Sequence, residues 1–438
     1  MEYSYLYEFN RERYEKLAER QFMCREDLQS VVIENGYMLP NRYAQNRLFG
    51  HGGVLNQEQV YVTESEMNAY AKYASIPKET DEKEIYLGEG YEIAADSVPY
   101  LDEDVIYLGY INNHWGHFLL DSTTRLYACL QDEKKQYKYA YLVNEGQDYT
   151  PVASISRFFE LLGISDRIIF INQITKCRSI TIPEQGYMIN AYYSKEFLGI
   201  FQRVADAVDC TKYETYQKVY YSRANVKKAK GSEIGEDILL ELFEKNNFTI
   251  ISPERCSLDE QIAIVRNSEF LAGITGTLPH NLLFAKPGKK MLVINKTHNM
   301  NVAQMDINIM CQIDMTYVDA YYARFPVMIG EGPFLLTYSD KLDEYIRDHQ
   351  LETLNREKVK AQEKENSRIY EERYRVKHMR SMQLHYQKDR DRFDYFAAEH
   401  LLQYDEAFYS ERCPIRIKER LIGMLNRMER VVKRIMKK

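Results

Sequence analysis

Residues 270–281 read FLAGITGTLPHN, in which an apolar run, Phe270–Gly273, breaks into Ile274-Thr275-Gly276-Thr277-Leu278-Pro279-His280-Asn281. An alternation of β-like and helix-like segments leads up to this turn. Lys218–Ser222 (KVYYS) reads as a strand ending at Arg223, and a polar Lys/Gly loop follows it. Next come an amphipathic helix over Glu236–Lys245, a strand over Phe248–Ser252 and a short helix over Leu258–Arg266. Beyond the turn, Met291–Asn295 supplies a fourth strand, and Thr316–Tyr321 is expected to complete the sheet. Strands alternating with helices predict a parallel sheet with right-handed crossovers. Ligands of such sheets sit beyond the carboxyl ends of the strands, often at a helix N-terminus whose unpaired N–H groups suit phosphate. The Gly-Thr turn occupies such a place.

The other distinctive segment is Asn112-Asn113-His114-Trp115-Gly116-His117-Phe118-Leu119-Leu120-Asp121, with Arg125 four residues on. It follows a strand over Val105–Tyr110, and Phe118–Leu130 has helical spacing. His117, Asp121 and Arg125 would then share one helix face. Spacing alone leaves two readings: a general-base pair in which the acid orients the imidazole, or a helix brace with Arg125 as its surface partner. Around it, Val31–Glu34, residues 51–55, Gln59–Thr63, Tyr139–Val143, Arg167–Ile171 and Ser179–Ile182 read as strands. Ile155–Leu162 and Lys195–Val208 read as helices. These elements resemble half of a second α/β domain, so the expected division is a helical segment (1–29), one α/β domain (30–212), a second (213–335) and a charged helical extension (336–438).

At 438 residues and 51.9 kDa, two domains with appendages are expected. A net charge of −7 gives no general reason to expect nucleic acid. No stretch reads as a signal peptide or membrane span. The seven cysteines are scattered without CxxC spacing, which predicts reduced thiols in a cytoplasmic protein and no zinc site. The 37 tyrosines are read chiefly as core. Phosphate loops of the GxxxxGK[ST] type, GxGxxG, HExxH and GxSxG are all absent. Asp102-Glu103-Asp104 has the form of a DxD metal–sugar motif but is expected to be a turn before Val105–Tyr110. In the tail, Ile417, Leu421, Met424, Met428, Val431 and Ile435 mark a heptad seam. With nine Lys/Arg against two Glu, residues 415–438 carry +7 and leave −14 for the rest. This basic helix suits self-association, a partner helix or an anionic inner-membrane surface, or packing on its own protein.

Taken in order, two sets of residues resemble glycosyltransferase family 61, a group that includes bacterial capsular-polysaccharide enzymes. The first set is Asn113, Trp115-Gly116, His117-Phe118, Asp121 and Arg125-Leu126. The second is Ser222-Arg223, Gly235-Glu236, Asn247-Phe248 through Pro253-Glu254, Glu260-Gln261, Gly273-Ile274-Thr275-Gly276 through Asn281, then Phe284 and Pro287-Gly288. Two positions depart from the family pattern: Thr275 stands where the family has His, and Gly235 where it has Asn.

The resemblance implies a GT-B-like architecture, two Rossmann-like domains facing a cleft, and inverting transfer from a nucleotide-diphosphate sugar, such as a UDP-sugar, to a glycan or lipid-linked glycan acceptor. It makes His117 the base with Asp121 orienting it. Arg223, Lys228, Glu236, Thr275, Gly276, Thr277 and Asn281 become donor-binding candidates, and Asn113, Trp115 and Arg125 acceptor-binding ones. No metal or other cofactor is required. Two alternatives predict other behaviour: a non-catalytic scaffold of a polysaccharide assembly complex, and a nucleotide-sugar 2-epimerase.

Overall fold

The computed structural model describes residues 6–9, 11–19, 21–43, 50–67, 91, 93, 97–131, 136–224, 226, 233–298, 300–326 and 332–398. Lys228 and the basic heptad tail lie outside them. The described residues form two large sheets, two small ones, and helices between and around them.

The carboxyl-terminal sheet has six strands in the order Leu6–Tyr7, Asp314–Asp319, Lys290–Asn295, Ser268–Ile274, Tyr216–Tyr221, Thr249–Ile251, and every pairing is parallel. The expected unit is present strand for strand, including the contribution of residues 314–319. Its crossover helices are Glu236–Lys245 and Leu258–Asn267. The latter opens on a capping box in which the Ser257 side chain and the Glu260 carboxylate each bond the other's backbone N–H. The former opens on Gly235, whose φ of 96° is left-handed. A Cβ at Gly235 would lie 2.3 Å from the Leu336 carbonyl oxygen. Only glycine fits there, which accounts physically for one of the two departures from the family pattern.

The amino-terminal sheet has seven strands. Six follow the order Gly50–Leu55, Tyr37–Tyr43, Thr175–Pro183, Tyr100–Tyr110, Lys138–Leu142, Ile168–Ile171, and Ser30–Glu34 pairs with Thr175–Pro183. Its central strands, from Thr175–Pro183 to Ile168–Ile171, are parallel, whereas the amino-terminal strands join antiparallel. Gln59–Thr63, expected as a strand, gives only an isolated bridge at Tyr61. The DxD-like residues lie within strand Tyr100–Tyr110, not in a turn before it. Asp102 and Asp104 both bind Arg178 of the neighbouring strand, at 3.2 and 3.0 Å.

The first 29 residues differ from the expected helices. Among those described, only Arg11–Ala18 is an α-helix. Leu6–Tyr7 adds a parallel strand at the edge of the carboxyl-terminal sheet, beside Tyr317 and Val318. Two residues are too few to show a strand period, and their pairing partner lies some 310 positions away. Tertiary contact, not local pattern, decides this element.

One hydrophobic cluster spans both halves. It joins Phe118, Tyr141, Phe158 and Phe201 to Leu271, Phe284, Val293 and Met305. A second cluster packs the opposite face of the carboxyl-terminal sheet against Leu342, Tyr345, Ile346 and Val359. A third holds Tyr370, Tyr374, Met382, Phe393 and Phe396 against Ile234 and Leu335. The charged extension, helical as expected over Asp340–Ala398, is therefore folded onto the domain along its apolar stripe. Many tyrosines are core: Tyr107, Tyr139, Tyr141, Tyr220, Tyr221, Tyr317 and Tyr374 are among the largest fully buried side chains. No described helix is long and apolar enough to cross a membrane.

Candidate active site

The His117 segment leaves the end of strand Tyr100–Tyr110 through a polar turn. The Asn112 N–H donates to Ser122 Oγ, which in turn donates to the Tyr110 carbonyl, and the His114 N–H donates to Asn112 Oδ1. One α-helical turn, Trp115–His117, passes directly into a π-helical turn, Phe118–Ser122. His117 Nδ1 lies 2.8 Å from Asp121 Oδ2. The carboxylate is nearly buried while the imidazole is about a quarter exposed, at 6% and 27%. A carboxylate can only accept, so Nδ1 carries the proton and Nε2 is the basic nitrogen. The His114 ring lies alongside, with centroids 5.0 Å apart.

The π turn also separates Arg125 from the pair. It opens the helix after Ser122, and the i, i+4 register is lost before residue 125. Arg125 is 1% exposed. It donates to the carbonyls of Pro183, Glu64 and Glu66 and stacks on Tyr107. The expectation of a shared face with acceptor contact is thus corrected: Arg125 fastens the loop 64–66 to the amino-terminal sheet. Asn113 ties down residues 149–152, accepting from the Tyr149 hydroxyl and the Val152 N–H. Trp115 bridges the halves, its Nε1–H donating to Asn281 Oδ1 at 2.8 Å and its ring stacking on Phe118 and Phe284.

On the facing side, the residues around the Gly-Thr turn divide into buried fasteners and a partly buried set. Asn281 is 1% exposed, accepting from Trp115 and donating to Gln261. Thr275 is buried, with Oγ1 3.1 Å from the Ile294 carbonyl and 3.0 Å from Asn295 Oδ1. Glu236 is also buried and accepts the Arg223 N–H at 2.7 Å, tying a strand end to a helix start. Burial holds its carboxyl above the usual range. These three donor-binding candidates therefore serve the frame of the turn.

Arg223, Gly276 and Thr277 face the other way. The Arg223 Nε donates to Glu233 at 3.0 Å, and Lys296 Nζ donates to the same carboxylate oxygen at 2.6 Å. Burial alone would raise Glu233, but Lys296 and Arg223 outweigh it and hold the carboxyl below its ordinary value. Burial lowers Lys296. Two cations thus share the Glu233 carboxylate at the carboxyl ends of the strands, with the Glu236 carboxyl also within electrostatic reach. Glu233 and Lys296 escaped sequence reading, although Lys296 directly follows strand Lys290–Asn295, a position where parallel sheets place ligand contacts.

The two sets meet at glycines. A Cβ on Gly116 would lie 2.9 Å from Thr277 Cγ2 and 3.3 Å from His280 Nδ1, and one on Gly276 would lie 3.3 Å from Arg223 Nη1. The His117–Asp121 pair and the Arg223–Lys296 cations thus flank one seam, with the Gly276-Thr277 turn between them. Among the described residues, no three His, Cys, Asp or Glu side chains converge as metal ligands would.

Behind Thr275 lies a buried acid pair. Asn295 Nδ2 donates to both Glu8 Oε1 and Asp319 Oδ1. Burial, reinforced by Asp319, pushes Glu8 up to about 8, and burial raises Asp319 to about 6. A carboxyl held above its unfolded value contributes stability below that value and loses it as pH rises through the folded one. For Glu8 the loss falls between about pH 4.5 and 8. Glu8→Gln should therefore match the natural protein in Tm at pH 5 and exceed it by a few degrees at pH 8.5. A difference independent of pH would contradict a protonated Glu8.

No curated protein matches the chain. The family model described as glycosyltransferase 61 matches residues 115–292, from the start of the His117 turn into strand Lys290–Asn295. That span holds His117, Asp121, Arg223, Glu233 and the Gly-Thr turn, and over it the chain is similar to glycosyltransferase family 61.

Proposed function

We propose that this protein is an inverting glycosyltransferase that moves a sugar from a nucleotide-diphosphate sugar to a glycan or lipid-linked glycan acceptor, in capsular or other cell-surface polysaccharide synthesis. The observation that carries the reading is one seam with a His–carboxylate pair on one side and two cations beside a Gly-Thr turn on the other. Inversion by single displacement needs both: a base for the acceptor hydroxyl and a stabiliser for the leaving diphosphate.

In this reading His117 Nε2 takes the acceptor hydroxyl proton while Asp121 holds the ring through Nδ1–H. The acceptor oxygen forms its bond to the anomeric carbon from the face opposite the phosphate. The bond from that carbon to the phosphoryl oxygen breaks, and its electron pair leaves with the nucleoside diphosphate. Arg223 and Lys296 meet the charge that develops there, joined by Lys228 and the backbone N–H groups of Gly276 and Thr277. Charge from the protein suffices for this step, so the reading calls for no cofactor. A GT-B-like arrangement, with the donor on the all-parallel sheet and the acceptor beside the Asn113–Trp115 segment, accords with it. A cytoplasmic site of action, at the inner membrane face through the basic tail, belongs to the same proposal.

A thermal-shift panel of nucleotide-sugars, followed by mass spectrometry of products with candidate acceptors, tests the reading. Stabilisation by one nucleotide class and transfer with release of the nucleoside diphosphate are expected. Absence of any nucleotide-dependent shift would favour the scaffold, and conversion of donor without acceptor would favour the epimerase.

A further inference from the structure

Two neighbouring parallel strands of the amino-terminal sheet, Tyr100–Tyr110 and Lys138–Leu142, end side by side with Tyr110 paired to Leu142. Beyond these carboxyl ends lies a cavity of about 330 Å³. That volume falls at the lower end of ligand pockets, roughly 300–1,000 Å³, and leaves room for about one sugar ring. One wall is residues 110–113, the turn that leads to His117. The other is residues 143, 144 and 147–149 of the loop that follows Lys138–Leu142.

Hydrogen bonds within these walls commit some polar groups and leave others over. Asn113 is fully engaged, because Oδ1 accepts from Tyr149 and Val152 while Nδ2 donates to the Thr150 carbonyl at 3.3 Å. The Tyr149 ring is held by that bond and by Phe170, with centroids 4.8 Å apart. Asn144 Oδ1 accepts from Asn41 Nδ2 at 2.8 Å, and Asn144 Nδ2 donates to Gln147 Oε1 at 3.2 Å. Asn112 Oδ1 accepts the His114 N–H. What remains is the NH₂ end of Asn112, the NH₂ end of Gln147 and the Asp148 carboxylate, which binds no described residue. Gln147 and Asp148 are exposed, and Asn112 is half-buried.

Two amide donors and one carboxylate acceptor beside an aromatic ring match a sugar, whose hydroxyls each donate and accept and whose C–H face is apolar. None of the lining residues is Lys or Arg. Arg42, bonded to the same loop, is closed by a two-pronged contact with Glu145 at 2.6 Å. An anionic ligand would therefore meet Asp148 with no cation in the pocket wall to offset it. The wall also leads to the proposed base, since His114, bonded to Asn112, has its ring centroid 5.0 Å from that of His117.

We infer that this cavity is a subsite for an uncharged sugar ring of the acceptor, with Asp148 accepting from its hydroxyls and Asn112 and Gln147 donating to them. The inference rests on the transfer reading and deepens it, naming a neutral glycan and not an acidic one as acceptor.

The test is saturation-transfer NMR on the full chain, with Kd read by titration. The probes are the methyl glycosides of glucose, galactose, mannose, rhamnose, N-acetylglucosamine and N-acetylgalactosamine, and methyl glucuronide. At least one neutral glycoside should bind, and the glucuronide should not. Asp148→Ala should weaken the neutral ligand roughly 10-fold or more, and Gln147→Ala roughly 3- to 10-fold, as for hydrogen bonds to a charged and a neutral partner. Asp148→Asn should narrow the discrimination against the glucuronide. Both side chains are exposed, so each variant should keep the natural Tm and its thermal response to UDP, GDP or CDP. Neutral-glycoside binding that is absent from the natural protein or equal in all variants, or glucuronide bound as well, would overturn the subsite; a retained nucleotide response would then leave the transfer reading intact. Absence of any nucleotide response in the natural protein would overturn the acceptor role together with that reading.

Discussion

Replacing His117 with asparagine should lower glycosyl transfer by roughly 10²–10⁴-fold, the usual contribution of a positioned general base, with little change in Tm. Asparagine is the informative choice because of Asp121. That carboxylate is nearly buried and bonded to His117 Nδ1 at 2.8 Å. His117→Ala removes the partner and leaves the acid facing a void, so lost activity would be mixed with lost stability. The asparagine amide can still donate to Asp121 but offers no basic nitrogen. Asp121→Asn probes the other end: it keeps size and hydrogen bonding but no longer fixes the tautomer, so kcat should fall while KM for both substrates holds. Near-normal turnover in His117→Asn would remove His117 from the mechanism.

Replacing Glu233 with glutamine should cost about 3–5 kcal/mol of stability, the effect of breaking a buried ion pair from one side. Its side chain is 4% exposed and binds both Arg223 and Lys296, whose side chains are 13% and 12% exposed. Losing the carboxylate leaves two cations close together with no anion between them. The same cluster is assigned to the leaving diphosphate, so a second signature follows. Pyrophosphate or UDP should raise the Tm of Glu233→Gln by more than that of the natural protein, as the ligand restores the missing charge. Lys296→Met should weaken diphosphate binding instead. Destabilisation without anion rescue would make Arg223–Glu233–Lys296 a purely structural triad.

What the sequence revealed and what it hid follow from the range of the interactions. The strands at Lys218–Ser222, Phe270–Gly273 and Met291–Asn295 were legible because each is a short apolar run whose neighbours in the sheet all come from residues 216–319. The His117–Asp121 pair was legible because four residues span one helical turn. Arg125 was misread by the same rule, since the π turn at Phe118–Ser122 breaks the register that the rule assumes. Thr275, Glu236 and Asn281 sit in the right motif yet turn inward, because hydrogen bonds to Asn295, the Arg223 backbone and Trp115 decide their direction. Glu233 and Glu8 carried no local signal. Their partners, Lys296 and Asp319, lie 63 and 311 residues away.

The most direct test of the central claim is the anomeric configuration of the product, read by proton NMR during turnover of the preferred nucleotide-sugar with its acceptor. A base at His117 facing a diphosphate held by Arg223 and Lys296 predicts a first-formed glycoside of configuration opposite to the donor, absent with His117→Asn. A product that keeps the donor configuration, or one that persists undiminished in His117→Asn, would contradict it.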